Sequence, residues 1–125
     1  MTLQAKYYAP AILRIGMALV FLWFSINQFF FTNNFISFVP ESIVSISGIS
    51  PAMFVIGNAI IEFIFGAFLI LGIHVRTSAF ILSLHLFGIA FSLGYNPTMI
   101  RDLGLVVATA AIFFYGNDEF CLSGK

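Results

Sequence analysis

The sequence predicts an all-α integral membrane protein, an antiparallel four-helix bundle, and two observations lead to this fold class. Apolar residues make up 61% of the 125 residues and charged residues only 8%, whereas soluble domains carry roughly 25% charged residues. The apolar residues also fall into four stretches, each close to the length of about 20 residues that crosses a hydrocarbon core of about 30 Å. We therefore expect one transmembrane domain over residues 1–125, surrounded by membrane lipid. The zero net charge gives no reason to expect a nucleic-acid partner.

Each of the four stretches is bounded by residues that begin or end helices. The predicted spans are about 9–30, 51–73, 77–93 and 100–116. Ser50 and Pro51 suit the N-cap and the first helical position of the second span. Only His74 to Arg76 separate the second span from the third, which predicts a tight antiparallel hairpin.

The long connection, residues 31–50, is predicted to lie on the outer face of the membrane. Several of its residues are apolar, and Pro40-Glu41 interrupts it. This mixture favours a short interfacial helix or lid on the membrane surface. A plain exposed loop is the alternative.

The distribution of Lys and Arg predicts the orientation. With four spans, both termini lie on one side of the membrane. That side carries Lys6, Arg14, Arg76 and Lys125, and the other carries Arg101. The positive-inside rule then places both termini in the cytoplasm. We also expect the first span to be retained, because it is too long for a signal peptide and Arg14 interrupts it.

Glu62 is the residue that points most directly to a site. It stands in the middle of the second span, where a carboxylate costs roughly 2.5–3.5 kcal/mol by insertion scales. Asn58 lies one helical turn earlier on the same face, and His85 should reach a similar depth on the neighbouring helix. These positions predict an interior cluster of Arg14, Asn58, Glu62 and His85. A second, outer cluster is predicted from Asn27, Gln28, Arg101 and Asp102.

Two interpretations of the interior cluster remain open at this stage. Intramembrane ionisable residues commonly bind ligands or move protons. They can also serve only to fix the packing of helices. An ion pair between Arg14 and Glu62 would satisfy the second interpretation.

The residue inventory limits the redox chemistry that the chain could perform alone. Cys121 is the single cysteine, so an internal dithiol relay is excluded. His85 is the only histidine expected inside a span, so a bis-histidine haem is not expected. No spacing resembles a metal site. We predict no catalytic residue, no metal and no covalent cofactor, and any redox role would need a bound quinone or flavin, or a partner subunit.

Several motifs together resemble the DoxX-like family of small membrane proteins. Gly57, Glu62, Gly66, Gly72 and Arg76 stand where that family has Gly, Glu, Gly, Gly and Arg. Further matching segments are Leu13-Arg14-Ile15-Gly16, Phe21-Leu22-Trp23-Phe24, Val39-Pro40, Ser83-Leu84-His85-Leu86 and Arg101-Asp102-Leu103-Gly104-Leu105. One departure is Ser25-Ile26-Asn27-Gln28, which replaces the family's Gly-x-x-Lys.

The resemblance implies a four-helix fold in the plasma membrane of a prokaryote, and it suggests several functions. Some DoxX-like proteins are subunits of a thiosulfate:quinone oxidoreductase, and others belong to redox and thiol-stress complexes. Our first hypothesis is a membrane subunit of a quinone-linked redox system that binds a quinone or similar lipophilic molecule, alongside a partner subunit or further copies of itself. The alternatives are a non-enzymatic scaffold or chaperone, and a proton or small-solute conduit.

Overall fold

The computed structural model describes residues 3–39, 41–93, 97–118 and 120–122, and the regular elements in these ranges are all helical. Five α-helices and two short 3-10 helices follow one another along the chain. Their bounds are α1 Leu3–Phe30, 3-10 helices Thr32–Asn34 and Ile36–Phe38, α2 Glu41–Ser47, α3 Pro51–Leu71, α4 Val75–Leu93 and α5 Pro97–Tyr115. The all-α prediction is thus confirmed.

In the described part of the chain, three helices are long and apolar enough to cross a membrane. They are Ala5–Phe30 within α1, Pro51–Leu71 and Pro97–Tyr115, and they agree with the first, second and fourth predicted spans. α4 lies where the third span was predicted and carries a shorter apolar stretch, Val75–Phe91. The chain is therefore an integral membrane protein.

α1 begins earlier than the predicted span. It starts at Leu3 and runs through Pro10, although the apolar stretch begins near residue 9. The extra turns are held by aromatic packing, because the rings of Tyr7 and Tyr8 lie 5.1 and 5.7 Å from the ring of Phe120. Hydropathy marks where a helix becomes apolar, whereas contacts at its polar end decide where it begins.

Local capping fixes both ends of α3. The Ser50 hydroxyl accepts a hydrogen bond from the Met53 N–H at 3.4 Å, so the predicted N-cap is confirmed. At the other end Gly72 adopts the left-handed conformation, with φ of 74°. The Gly72 N–H donates to the Leu69 carbonyl, and the Ile73 N–H donates to the Phe68 carbonyl. This pair of hydrogen bonds defines a Schellman motif. Only the residues from Gly72 to His74 separate α3 from α4.

The connection between α1 and α3 contains the predicted short helix. α2 spans Glu41–Ser47, and the two 3-10 helices precede it. Ile46 on α2 is 88% exposed. An exposed apolar side chain on a short helix is what an interfacial helix would present to the membrane surface.

The four long helices pack around a shared core. α1 packs mainly against α3, and α4 mainly against α5, while smaller contacts join α3 to α4 and α1 to α5. The core consists of Met17, Ala18, Phe21, Leu69, Val75, Ala79, Leu82, Leu86 and Ile112. Large apolar side chains such as Leu19, Phe91 and Phe114 are more than half exposed, as expected for helices surrounded by lipid.

Two glycines on the long helices differ in what surrounds them. A Cβ at Gly66 would lie 3.4 Å from Phe21 and Leu22, so this glycine lets α1 approach α3 closely. Gly104 is exposed, and a Cβ there would meet nothing within 4 Å. Gly104 therefore brings no neighbouring helix of the described chain closer.

Candidate functional site

A cavity of about 690 Å³ lies between the four long helices, in the half of the molecule that carries α2. Its walls are mainly apolar and aromatic. They include Val20, Phe21, Phe24, Phe35, Val39, Ile49, Met53, Phe54, Val55, Ile61, Leu86, Ile89 and Leu105. Ligand sites are typically concave, apolar and of roughly 300–1,000 Å³, and this cavity fits that description.

Four polar side chains on three helices form a connected network at the cavity. We call Gln28, Asn58, Glu62 and His85 the polar network. The Asn58 Nδ2 group donates to Gln28 Oε1 and to Glu62 Oε1, both at 2.6 Å. The Asn58 Oδ1 atom accepts a hydrogen bond from His85 Nε2. Asn58 therefore uses both of its N–H groups and its carbonyl oxygen within the network.

Helix geometry explains why these residues meet. Asn58 and Glu62 are one turn apart on α3, so their side chains share a face. Gln28 lies near the C-terminal end of α1, and His85 lies in the second half of α4. Glu62 and Gln28 are 5% and 4% exposed, and a buried polar group requires a hydrogen-bond partner. Asn58 supplies that partner to both.

α5 adds a second carboxyl group and a cation to the same cavity. Asp102 lines the cavity and is 6% exposed. Arg101 also lines it, and its Nη2 atom lies 3.4 Å from Asp102 Oδ1. The guanidinium carbon of Arg101 stands 5.9 Å from the centre of the Phe24 ring. Because 58% of the Arg101 side chain is exposed, its charge lies at the rim of the cavity.

Arg14 does not join the polar network, which corrects the predicted interior cluster. Its Nε atom lies 2.7 Å from Asp118 Oδ2. Its Nη1 atom donates to the carbonyls of Leu69 and Ile70 at 2.6 and 3.0 Å. Those carbonyls lie seven residues or more beyond Glu62 along α3, which is about 10 Å at the usual helical rise. The expected pairing of Arg14 with Glu62 is therefore wrong.

The contacts of Arg14 have a clear physical cause. The last carbonyls of a helix lack partners within it and carry partial negative charge, and Arg14 meets them at the end of α3. The segment after α5 brings Asp118 to the same place, with the side chains of both residues 2% exposed. Burial alone raises the pKa of Asp118, but hydrogen bonds from Arg14 and the Phe120 N–H, with the charge of Arg14, hold that pKa below its ordinary value.

The predicted outer cluster is divided by the structure. Gln28 belongs to the polar network, and Arg101 and Asp102 line the same cavity. The Asn27 side chain instead donates to the Trp23 carbonyl at 2.8 Å, on its own helix. The residues predicted as two separate sites therefore mostly share one cavity, with Asn27 and Arg14 left out of it.

Asp118 was missed as the partner of Arg14. It stands in Asn117-Asp118-Glu119, which the sequence marks only as the end of the fourth span. The count of Lys and Arg puts Arg14 and the C-terminal segment on the same side of the membrane. The acidic residues of that segment were therefore the signal that could have identified the partner of Arg14.

The comparison with known families agrees with this arrangement. The sequence profile of the DoxX family matches residues 9–94. The chain belongs to the DoxX family. No curated protein and no solved structure matches it. The matched region holds the whole polar network, whereas Arg101, Asp102 and Asp118 lie beyond it.

The chemistry available to this DoxX-family chain is that of hydrogen bonding and proton exchange. Glu62, Asp102 and His85 bring ionisable groups to a cavity with mainly apolar walls. Within the described residues, no group of three or more His, Cys, Asp or Glu side chains could hold a metal ion. Mainly apolar walls with a few polar side chains suit an organic molecule with a few polar atoms.

Proposed function

We propose that this DoxX-family protein is a membrane subunit of a quinone-linked redox system and that its cavity binds a quinone or a similar lipophilic molecule. The observation that carries the proposal is the pairing of a cavity of about 690 Å³ with the polar network at its surface. Apolar walls suit a ring and a short tail. The polar side chains suit the ring oxygens, with Glu62 and His85 handling protons. A partner subunit would supply the electron carrier.

The proposal includes a membrane arrangement for the whole chain. The four long helices cross the plasma membrane of a prokaryote as an antiparallel bundle with both termini in the cytoplasm. α4 has 19 residues and reaches about 28 Å at 1.5 Å per residue, close to the roughly 30 Å of the hydrocarbon core. The cavity and α2 then occupy the outer half of the bundle.

A scaffold or chaperone function is the second candidate, and one observation favours it. Asn58 forms hydrogen bonds with Gln28, Glu62 and His85 within the chain, as expected of a network whose only role is to hold helices together. The conduit hypothesis has less support. Phe21 and Leu22 close against Gly66, and the buried core around them is apolar. This packing separates Arg14 from the polar network and interrupts a continuous polar path.

Thermal unfolding of the purified protein in detergent tests the proposal. A short-tailed benzoquinone should raise the unfolding temperature, because a ligand at 100 times its Kd stabilises the folded state by about 2.7 kcal/mol. Gly57 lines the cavity, and a Cβ there would meet nothing within 4 Å. Gly57→Leu should place a side chain inside the cavity and reduce the rise while leaving every side chain of the polar network unchanged.

Gly88→Leu is the matched control. Gly88 is exposed on α4 with nothing within 4 Å of a Cβ, and it is not among the cavity residues. The same substitution there should leave the quinone effect intact. If neither the quinone nor its reduced form raises the unfolding temperature, or if the rise is equal in Gly57→Leu, the scaffold function becomes the better explanation.

A further inference from the structure

The hydrogen-bond donors of the polar network are largely used within the protein. Asn58 donates both of its N–H groups, to Gln28 and to Glu62. Because Asn58 Oδ1 is an acceptor, His85 must donate from Nε2, and a neutral imidazole has only one N–H. Gln28 Nε2 donates to the Phe24 carbonyl at 3.1 Å. The Gln28 side chain also hydrogen-bonds the Glu62 carboxyl group, so its second N–H is engaged as well.

Acceptor capacity remains at the same place. When ionised, Glu62 has about four lone-pair positions on its two oxygens, and Asn58 and Gln28 occupy part of them. A neutral His85 that donates from Nε2 has Nδ1 as an acceptor. Asp102 brings a second carboxyl group to the cavity. Arg101 supplies donors, but its exposed position places them at the rim.

We propose that the cavity binds ligands through their hydroxyl groups, so that it takes a hydroquinone or another phenol in preference to the carbonyl-only quinone. This inference rests on the proposed function, since it treats the cavity as a ligand site. A hydroxyl donates to Glu62 or His85, whereas a quinone carbonyl would meet acceptors with its own lone pairs. In a cavity walled by apolar side chains, polar atoms left unpaired make binding less favourable.

Three ligands of similar size separate these possibilities. They are a short-tailed hydroquinone kept reduced under anaerobic conditions, the corresponding quinone, and the dimethyl ether of the hydroquinone, which keeps the shape but cannot donate. Binding to the purified full-length protein is measured by the concentration dependence of its unfolding temperature. We expect the hydroquinone to bind at least about tenfold more tightly than the other two, which is about 1.4 kcal/mol.

Glu62→Gln tests the assignment of the acceptor. The substitution keeps the size of the side chain and replaces one carboxylate oxygen with an NH2 group, which can donate. It should reduce the preference for the hydroquinone several-fold or reverse it. Asp102→Asn gives a second, independent variant at the other carboxyl group. The ligand series on the unchanged protein stands without either variant, so a poorly folded variant does not remove the test.

The outcomes distinguish this inference from the proposed function. Equal or tighter binding of the quinone would overturn the hydroxyl preference and leave the quinone-binding function standing. A hydroquinone effect that persists in Gly57→Leu, or a preference unchanged in both carboxyl variants, would place the binding elsewhere and overturn the inference. If none of the three ligands stabilises the protein, both proposals fail.

Discussion

Arg14 joins three parts of the chain through one buried side chain. It belongs to α1, contacts the final carbonyls of α3, and pairs with Asp118 after α5. Removing one partner of a buried ion pair typically costs about 3–5 kcal/mol, because the remaining charge is left without compensation. The pair therefore holds the C-terminal segment against the end of α3, at the opposite end of the molecule from the cavity.

A double-mutant cycle in detergent tests this assignment. Arg14→Leu and Asp118→Leu should each lower the free energy of unfolding by about 3–5 kcal/mol. The double variant should lose less free energy of unfolding than the sum of the losses in the two single variants, with a coupling energy of about 0.5–3 kcal/mol. As a control, Arg14→Leu and Glu62→Gln should add within about 0.5 kcal/mol, as expected of distant sites. Stronger coupling of Arg14 to Glu62 than to Asp118 would contradict the structure.

Sequence reasoning identified most of the residues of the site but not all of their partners. Helical spacing placed Asn58 and Glu62 on one face, and depth placed His85 beside them. Spacing within a helix cannot tell how far a long side chain turns toward one end. Spacing alone therefore assigns Arg14 to Glu62, whereas the last carbonyls of α3 and the carboxylate of Asp118 attract it in the other direction. Gln28 was placed too far out for the same reason.

At the scale of elements, the end of α3 depends on one glycine. Gly72 has φ of 74°, and a Cβ there would lie 2.5 Å from the Cα atom of Cys121. The C-terminal segment is also bonded at this place, since the Leu122 N–H donates to the Leu71 carbonyl at 3.1 Å. A side chain at residue 72 would meet both backbone strain and this segment.

Comparing Gly72→Ala with Gly48→Ala separates these two effects. Gly48 has φ of 73°, and a Cβ there meets nothing within 4 Å. Gly48→Ala should therefore show only the cost of a left-handed alanine, about 1–2 kcal/mol. Gly72→Ala should lower the free energy of unfolding by clearly more than Gly48→Ala, because Cys121 must also move. Equal losses of unfolding free energy in the two variants would show that the C-terminal segment does not press on residue 72.

The sequence predicted the elements better than their boundaries. Ser50-Pro51 marked the start of α3 correctly because capping is a local property of the chain. The early start of α1 depends on Phe120, which is more than a hundred residues away, so no local pattern could reveal it. α2 was expected from the apolar content of residues 31–50, although the two 3-10 helices before it were not.

Over the whole molecule, the two polar sites lie at opposite ends of an apolar core. The ion pair of Arg14 and Asp118 occupies the end that carries the termini, and the cavity occupies the end that carries α2. This separation changes the charge argument for orientation, because Arg14 is neutralised internally. The other described cations at the end with the termini are Lys6 and Arg76, and Arg101 at the other end pairs with Asp102.

The membrane orientation can be tested by labelling two cysteine variants with a membrane-impermeant maleimide. Ser45 on α2 and Thr77 at the start of α4 are both exposed, and the 21 residues of α3 place them about 30 Å apart along the membrane normal. In a Cys121→Ser background, Ser45→Cys should react in intact cells. Thr77→Cys should react only after the cells are permeabilised, because the positive-inside rule places its end in the cytoplasm. The reverse pattern would invert the bundle and turn the cavity toward the cytoplasm.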